Sequence, residues 1–226
     1  MKKKVLLITR KELYVEKLIK LLKKKSKLSI IWTEERKSKK KISMKYLKKK
    51  YDFVFLYRTF YILNKKELDL LNTNVINFHP STPKYRGSGG PNFAILKKEK
   101  TFGVTSHLVS EKIDNGKIID LKTFNISKLS LTQLFNKIYR EQFKQATSLI
   151  SKLLNNKDYL IVSINKNKNI NWSKKIITLR ELKKIYLIKK NITKKKLLIN
   201  LKATIYKKFK PYILLHGKKF IYTEDD

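Results

Sequence analysis

Four side chains near the middle of the sequence combine types that do chemistry. Asn77 and His79 stand two residues apart in VINFHPS, and Asp114 follows His107 by seven residues in SHLVSEKIDNG. Alternate side chains of an extended segment leave on the same side, so the amide of Asn77 and the imidazole of His79 can converge on one small group. Pro80 fixes the chain direction just after them, and Gly87, Gly89 and Gly90 admit positive φ or a close backbone approach. Each feature also has a plainer reading. His79 could be a hydrogen-bonded structural imidazole, Asp114 a turn former in Asp-Asn-Gly, and the glycine loop a phosphate cradle. The cradle fits poorly, because no Lys-Ser/Thr pair follows the glycines and no GxGxxG follows the first apolar run. His216 reads as a solvated hairpin residue. With no cysteine and three scattered histidines, neither a disulfide framework nor a thiolate or His-rich metal site is expected.

The elements that must hold these groups follow from hydrophobic periodicity. KVLLIT is a short apolar run fit for a buried strand, and KELYVEKLIKLLKKK follows with Leu13, Leu18, Leu21 and Leu22 at helical spacing. LSIIW (28–32) and DFVFLY (52–57) are further strands. TEERKSKKKISMKYLKKK between them is too charged for core and reads as a loop with a short solvated helix, without an assignable role. Asn64 with Glu67 three residues on resembles a capping box and predicts a helix over 65–71, before a fourth strand at NVINF (74–78). This alternation predicts an α/β fold with a Rossmann-like, mostly parallel sheet covered by helices on both faces. The ligand crevice of such a sheet lies outside the carboxyl ends of its strands, where Asn77 and His79 stand.

Farther along, NFAILKKE suggests a short helix, while FGVTSHLVS and KIIDLKTFNI suggest strands. SLTQLFNKIYREQFKQATSLISKLL (130–154) is the longest helical pattern, with Leu131, Leu134, Phe135, Ile138, Phe143, Leu149 and Ile150 on its stripe. NKNKNINWSKK reads as loop, Thr178 and Glu181 as a second box-like helix start, and YILLHGKKFIY as a hairpin turning near Gly217. The expected organisation is a catalytic domain over 1–154 and a small C-terminal helix and hairpin subdomain over 155–226.

The 226 residues, 42% of them hydrophobic, can build a substantial core. No apolar run reaches eighteen residues and MKKKVLLITR lacks a cleavable-leader pattern, so the expectation is a cytoplasmic protein without membrane insertion. Lys and Arg number 55 against 17 Asp and Glu, a formal charge of +38. A nucleic-acid partner is one reading of that charge. The other is coding bias: 49 of the cations are lysine, spread along the chain, whereas sequence-specific base readers favour arginine.

Taken together, NFHPS followed by P-x-Y-R-G, then GVTSHLV and IDNGKII, resemble the formyltransferase family that uses 10-formyltetrahydrofolate, over roughly residues 1–150. The resemblance implies a catalytic Asn77, His79 and Asp114, with His107 as an auxiliary active-site histidine. It implies a pterin held by the backbone around Tyr61, Ile62 and Leu63 and by the loop from Leu108 through Ile113 to Asp114. No metal is implied. In such a site Asn77 and His79 hold a reacting carbonyl and Asp114 takes up an amine proton, which suits attack of a primary amine on a formyl carbon.

Among the branches of that family, the glycinamide ribonucleotide enzymes carry a glycine-rich loop where this chain reads ITRKELY, and the deformylases carry a preceding regulatory domain. Methionyl-tRNA formyltransferases add a C-terminal β-barrel domain and typically read HxSLLPxxRGxAP where this chain has HPSTPKYRGSGGPNF. STP, GGPNFAI and NWSKKIITLREL resemble the sugar N-formyltransferases, implying a nucleotide-linked amino sugar as acceptor, a role in surface polysaccharide synthesis and a possible homodimer. Tyr85, Phe93 and Trp172 are the aromatic side chains placed to stack on such a ligand or to pack in the fold. Methionyl-tRNA formyltransferase is the alternative, and a non-catalytic, basic RNA- or folate-binding protein is the alternative of a different class.

Overall fold

The computed structural model describes residues 1–33, 41–207 and 209–223. Its chain opens with β1 (Lys3–Thr9), α1 (Val15–Lys25) and β2 (Ser26–Trp32), then α2 (Met44–Leu47), β3 (Phe53–Tyr57), α3 (Lys65–Leu71) and β4 (Val75–His79). After β5 (Arg86–Gly87) and α4 (Gly90–Leu96) come β6 (Thr101–Leu108), β7 (Ile118–Asn125), α5 (Leu131–Asn155) and α6 (Tyr159–Lys166). The remainder holds β8 (Ile176–Ile177), α7 (Leu179–Lys184), α8 (Lys194–Thr204) and a hairpin of β9 (Tyr212–Leu215) with β10 (Lys218–Ile221). Two compact units draw on alternating stretches: Met1–Pro80, Val104–Lys122 and Tyr139–Trp172 in the first, and Ser81–Gly103, Thr123–Ile138 and Ser173–Asp226 in the second.

The six-stranded sheet runs β2-β1-β3-β4-β6-β7. Pairings of β1 with β2 and β3, and of β3 with β4, are parallel, whereas β4 meets β6 antiparallel. Both faces of its middle are buried, which is why these strands read as continuous apolar runs. Along β1, Val5 and Leu7 join one core cluster and Leu6 and Ile8 the other. The first cluster collects Leu18 and Leu22 of α1, Leu149, Ile150 and Leu153 of α5 and Leu160 of α6. The second collects Leu47 of α2 and Leu71 of α3, so helices cover both faces as the alternation predicts.

Several boundaries differ from the sequence reading for local reasons. Tyr14 adopts a left-handed φ of 69°, which stops α1 from extending back to Leu13, and Leu13 is exposed instead of joining the stripe. Part of the charged 33–50 stretch is core after all: Ile42 and Leu47 are buried in the second cluster, while residues 34–40 lie outside the described residues. The capping boxes at Asn64/Glu67 and Thr178/Glu181 form as read. The hairpin turns through His216 and Gly217, both at positive φ, the combination a two-residue type I′ loop needs. Helices α6 and α8 were not anticipated. The apolar residues of α8 do not fall on one face, and only Ala203 and Thr204 of it are buried.

At the carboxyl ends of β1 and β3, Glu12 ties two arginines together. It accepts from Arg58 Nη2 at 3.0 Å and pairs with Arg10, whose Nε donates to the Arg58 carbonyl at 2.9 Å. The Arg58 guanidinium lies 3.7 Å over the Tyr139 ring. Burial pushes the Glu12 carboxyl up, but the two guanidiniums outweigh it and hold it below its ordinary value of 4.5. A depressed folded value means that its stabilisation is complete above 4.5 and is lost as pH falls from there through the folded value. Glu12→Gln should therefore cost about 1 kcal/mol near neutrality once solvent screening of this partly exposed carboxylate is allowed for, and the gap in Tm from wild type should close in thermal melts run at successively lower pH. A gap that does not change across that range would refute the assignment.

Candidate active site

Strand β4 delivers Asn77 and His79 to its carboxyl end. Because β6 pairs antiparallel, His107 stands directly opposite Asn77, and Thr105 opposite His79. Cross-strand partners share a face, and the Asn77 amide nitrogen lies 3.1 Å from His107 Nε2. On the other side of the ring, His107 Nδ1 is 2.7 Å from the Leu108 carbonyl oxygen. A carbonyl can only accept, so Nδ1 carries the proton and Nε2 of the neutral ring accepts from Asn77. One amide hydrogen of Asn77 remains for another acceptor.

Asp114 closes the group. Its Oδ1 lies 3.4 Å from His79 Nδ1 and 3.6 Å from His107 Nε2, so one carboxylate is bracketed by two imidazoles. The three side chains are 6%, 3% and 10% exposed for His79, His107 and Asp114, which places the charge where water screens it little. Asp114 has a φ of 43°, a left-handed conformation that Asp tolerates better than most residues. Gly116, two residues on, packs so closely that a Cβ there would overlap the Leu108 carbonyl oxygen. The Asp-Asn-Gly turn thus seats its carboxylate by direct backbone contact with β6.

Two further groups steady this arrangement. Register between β3 and β4 ends at Tyr57 opposite Phe78, and there the fully buried Gln142 of α5 donates Nε2 to the Phe78 carbonyl at 2.6 Å. Gln145 donates to the Val104 carbonyl and to Asp120. Sequence reasoning missed both glutamines; they occupy stripe positions of α5 where the period calls for apolar residues, and that mismatch is the signal that could have found them. Trp172 is the other group. Its indole stands near-perpendicular to His107 and His79 at centroid distances of 4.9 and 5.8 Å.

The segments expected around a pterin are brought together. Leu63, Tyr61 and Val109 share one apolar cluster, and Lys65 pairs with Glu111 at 3.2 Å. Ile62 and Ile113 are large apolar side chains left exposed. Tyr61 donates its hydroxyl to Glu67, and burial followed by that carboxylate pushes the phenol up to about 12. Leu108 is already engaged at both backbone groups, its N–H with the Lys117 carbonyl at 2.9 Å and its carbonyl with His107. Of the other aromatic residues singled out in the sequence, Tyr85 is buried core, 6.0 Å from Phe102 and bonded to Glu99, and Phe93 is half-buried in α4. His216 is exposed in its hairpin turn, away from any pairing role. Among the described residues, no group of three or more His, Cys, Asp or Glu side chains is disposed to hold a metal ion, and no helix is long and apolar enough to cross a membrane.

A stretch of 107 residues is 32% identical to a bifunctional polymyxin resistance protein ArnA from Wigglesworthia glossinidia brevipalpis, covering 46% of this chain and 16% of that protein. Methionyl-tRNA formyltransferase from Finegoldia magna is 28% identical over 89 residues, covering 38% of this chain and 29% of the relative. The matched parts therefore span less than a third of either relative. Among solved structures, a 4-N formyltransferase from Francisella tularensis superposes with a TM-score of 0.77 at 21% identity, over 99% of this chain and 97% of that one. An N-formyltransferase from Helicobacter canadensis, in complex with folinic acid and dTDP-3-aminofucose, superposes at 0.70 with 19% identity, over 96% and 85% of the two chains. Residues 2–150 match the model of the formyl transferase family, which takes in β1 to β7 and all four polar residues of the site, and the chain belongs to that family.

Proposed function

We propose that this chain is an enzyme that moves the formyl group of 10-formyltetrahydrofolate to the amino group of a nucleotide-linked amino sugar, of the 4-amino-4,6-dideoxy class used in surface polysaccharides. The observation that carries the reaction is the Asp114 carboxylate between His79 and His107, with Asn77 alongside. In this reading the acceptor amine attacks the formyl carbon, and a new C–N bond forms as the carbonyl oxygen becomes an oxyanion. The free amide hydrogen of Asn77 and a proton on His79 bind that oxygen; losing one such donor typically costs on the order of 3 kcal/mol in the transition state. Asp114 takes the proton from the attacking nitrogen and passes it to the departing folate nitrogen, so the old C–N bond breaks to give an amide and tetrahydrofolate. No metal enters these steps.

The folate assignment draws support from family membership and from the juxtaposed 61–63 and 108–113 segments. Support for the sugar acceptor comes from the near-complete two-way coverage by the Francisella and Helicobacter enzymes and from the STP, GGPNFAI and NWSKK sequences. Alignment with methionyl-tRNA formyltransferases and the charge of +38 favour an acidic acceptor stem as the second reading. Mass spectrometry after incubation with 10-formyltetrahydrofolate and a panel of nucleotide-linked 4-amino sugars, methionyl-tRNA and glycinamide ribonucleotide separates them. A formylated nucleotide sugar is expected; product on the tRNA alone would replace the sugar by the second reading.

A further inference from the structure

We propose that Trp172 is a positioning residue of the transfer step, which holds the Asp114 turn against the two imidazoles. It lies beyond residue 150, where the family match ends, on the loop that follows α6. Its indole Nε1–H donates to the Gly116 carbonyl at 2.8 Å, in the same turn that seats Asp114. Its ring meets His107 at 78° and His79 at 68°, both close to perpendicular. The indole thus touches all three parts of the site, the β4 imidazole, the β6 imidazole and the turn that carries the carboxylate. Asn167 anchors the start of the same loop by donating to the Ile119 carbonyl of β7 at 2.8 Å, so the loop reaches the site already tied to the sheet.

Two consequences follow physically. A ring packed against His79 and His107 keeps water from the Asp114 carboxylate they bracket, and an electrostatic interaction in such surroundings is stronger than in bulk solvent. The Nε1–H bond fixes where the turn sits, and a shift of about 1 Å at the reacting groups can cost 10²-fold in rate. The inference rests on formyl transfer being the reaction, whichever amine accepts.

Two variants and one spectroscopic measurement test it. Trp172→Phe keeps a ring against the imidazoles but deletes the bond to Gly116, and should lower kcat about 10-fold with KM for 10-formyltetrahydrofolate within about twofold. Trp172→Ala deletes both and should lower kcat about 10²-fold. In a Trp32→Phe background Trp172 is the sole indole. His79 and His107 pack against that ring, and an imidazole in contact with an indole quenches its emission. Emission should therefore rise when both histidines are replaced by Gln, and that rise reports the quench. A kcat within twofold of wild type in both Trp172 variants, or losses that match a fall in Tm with the quench absent, would overturn the assignment. If wild type formylates no amine, the reaction reading fails on its own, and the quench still decides whether Trp172 covers the histidines.

Discussion

Replacing Asp114 with Asn is expected to slow formyl transfer by about 10²- to 10⁴-fold, the usual worth of a positioned general base. The change is nearly isosteric, and Asn accepts a left-handed φ at least as readily as Asp, so the conformation at 43° is retained. What disappears is the only carboxylate within reach of His79 Nδ1 and His107 Nε2 among the described side chains. An amide can donate to or accept from either ring, but it cannot take a proton from an attacking amine. Steady-state turnover should therefore collapse while Tm and tetrahydrofolate binding stay near wild type. Retention of more than about a tenth of the wild-type rate would remove Asp114 from the proton path.

The second large effect concerns a residue with no side chain. Gly116→Ala would drive a methyl group into the Leu108 carbonyl oxygen, a backbone atom that cannot swing aside. Leu108 is held by its N–H to Lys117 and by its carbonyl to His107, so the turn must move instead, carrying Asp114 with it. Overpacking of this kind costs about 1–3 kcal/mol, and a displacement near 1 Å at the carboxylate is worth about 10² in rate. Gly217→Ala is the contrast. That residue, unlike Gly116, has positive φ, at 73°, but nothing lies within 4 Å of the added Cβ, so it should lose about 1 kcal/mol and leave turnover unchanged. Equal activity losses in the two variants would show that the contact between Gly116 and Leu108 does not govern the site.

The parts of this fold that could be read from sequence are those where one local rule suffices. Buried parallel strands declare themselves as apolar runs, so KVLLIT, DFVFLY and NVINF were placed almost to the residue, and the Asn64 and Thr178 boxes marked two helix starts. The alternation of residues 77 and 79 predicts that those two side chains converge, and only the resemblance to the formyltransferase family implies that Asp114 joins them. What stayed hidden depends on pairing between distant segments. Nothing local says that His107 faces Asn77, because the antiparallel register of β6 on β4 is set by the whole sheet. Trp172 in an Asn- and Lys-rich loop carries no periodicity at all, and its contact with the histidines arises from where α6 releases the chain. Helix α8 lacks the apolar stripe that would have announced it.

The antiparallel seam between β4 and β6 also bears on how the protein comes into being. The pairings of β1 with β3, β3 with β4 and β4 with β6 join residues far apart in the chain: Val5 meets Phe53, Val54 meets Val75, and Asn77 meets His107. Loop-closure entropy must be met before such contacts return anything, so chains of this kind fold slowly compared with helical bundles. The polar centre is split across the seam, with Asn77 and His79 on one strand and His107 on the other. A partly folded chain that has assembled only β1, β2 and β3 already hides much of its apolar surface yet has no carboxylate beside an imidazole. Under the proposed function, competence for formyl transfer is thus a property of the completed sheet, because no half-made chain has assembled the groups that would act on the formyl donor.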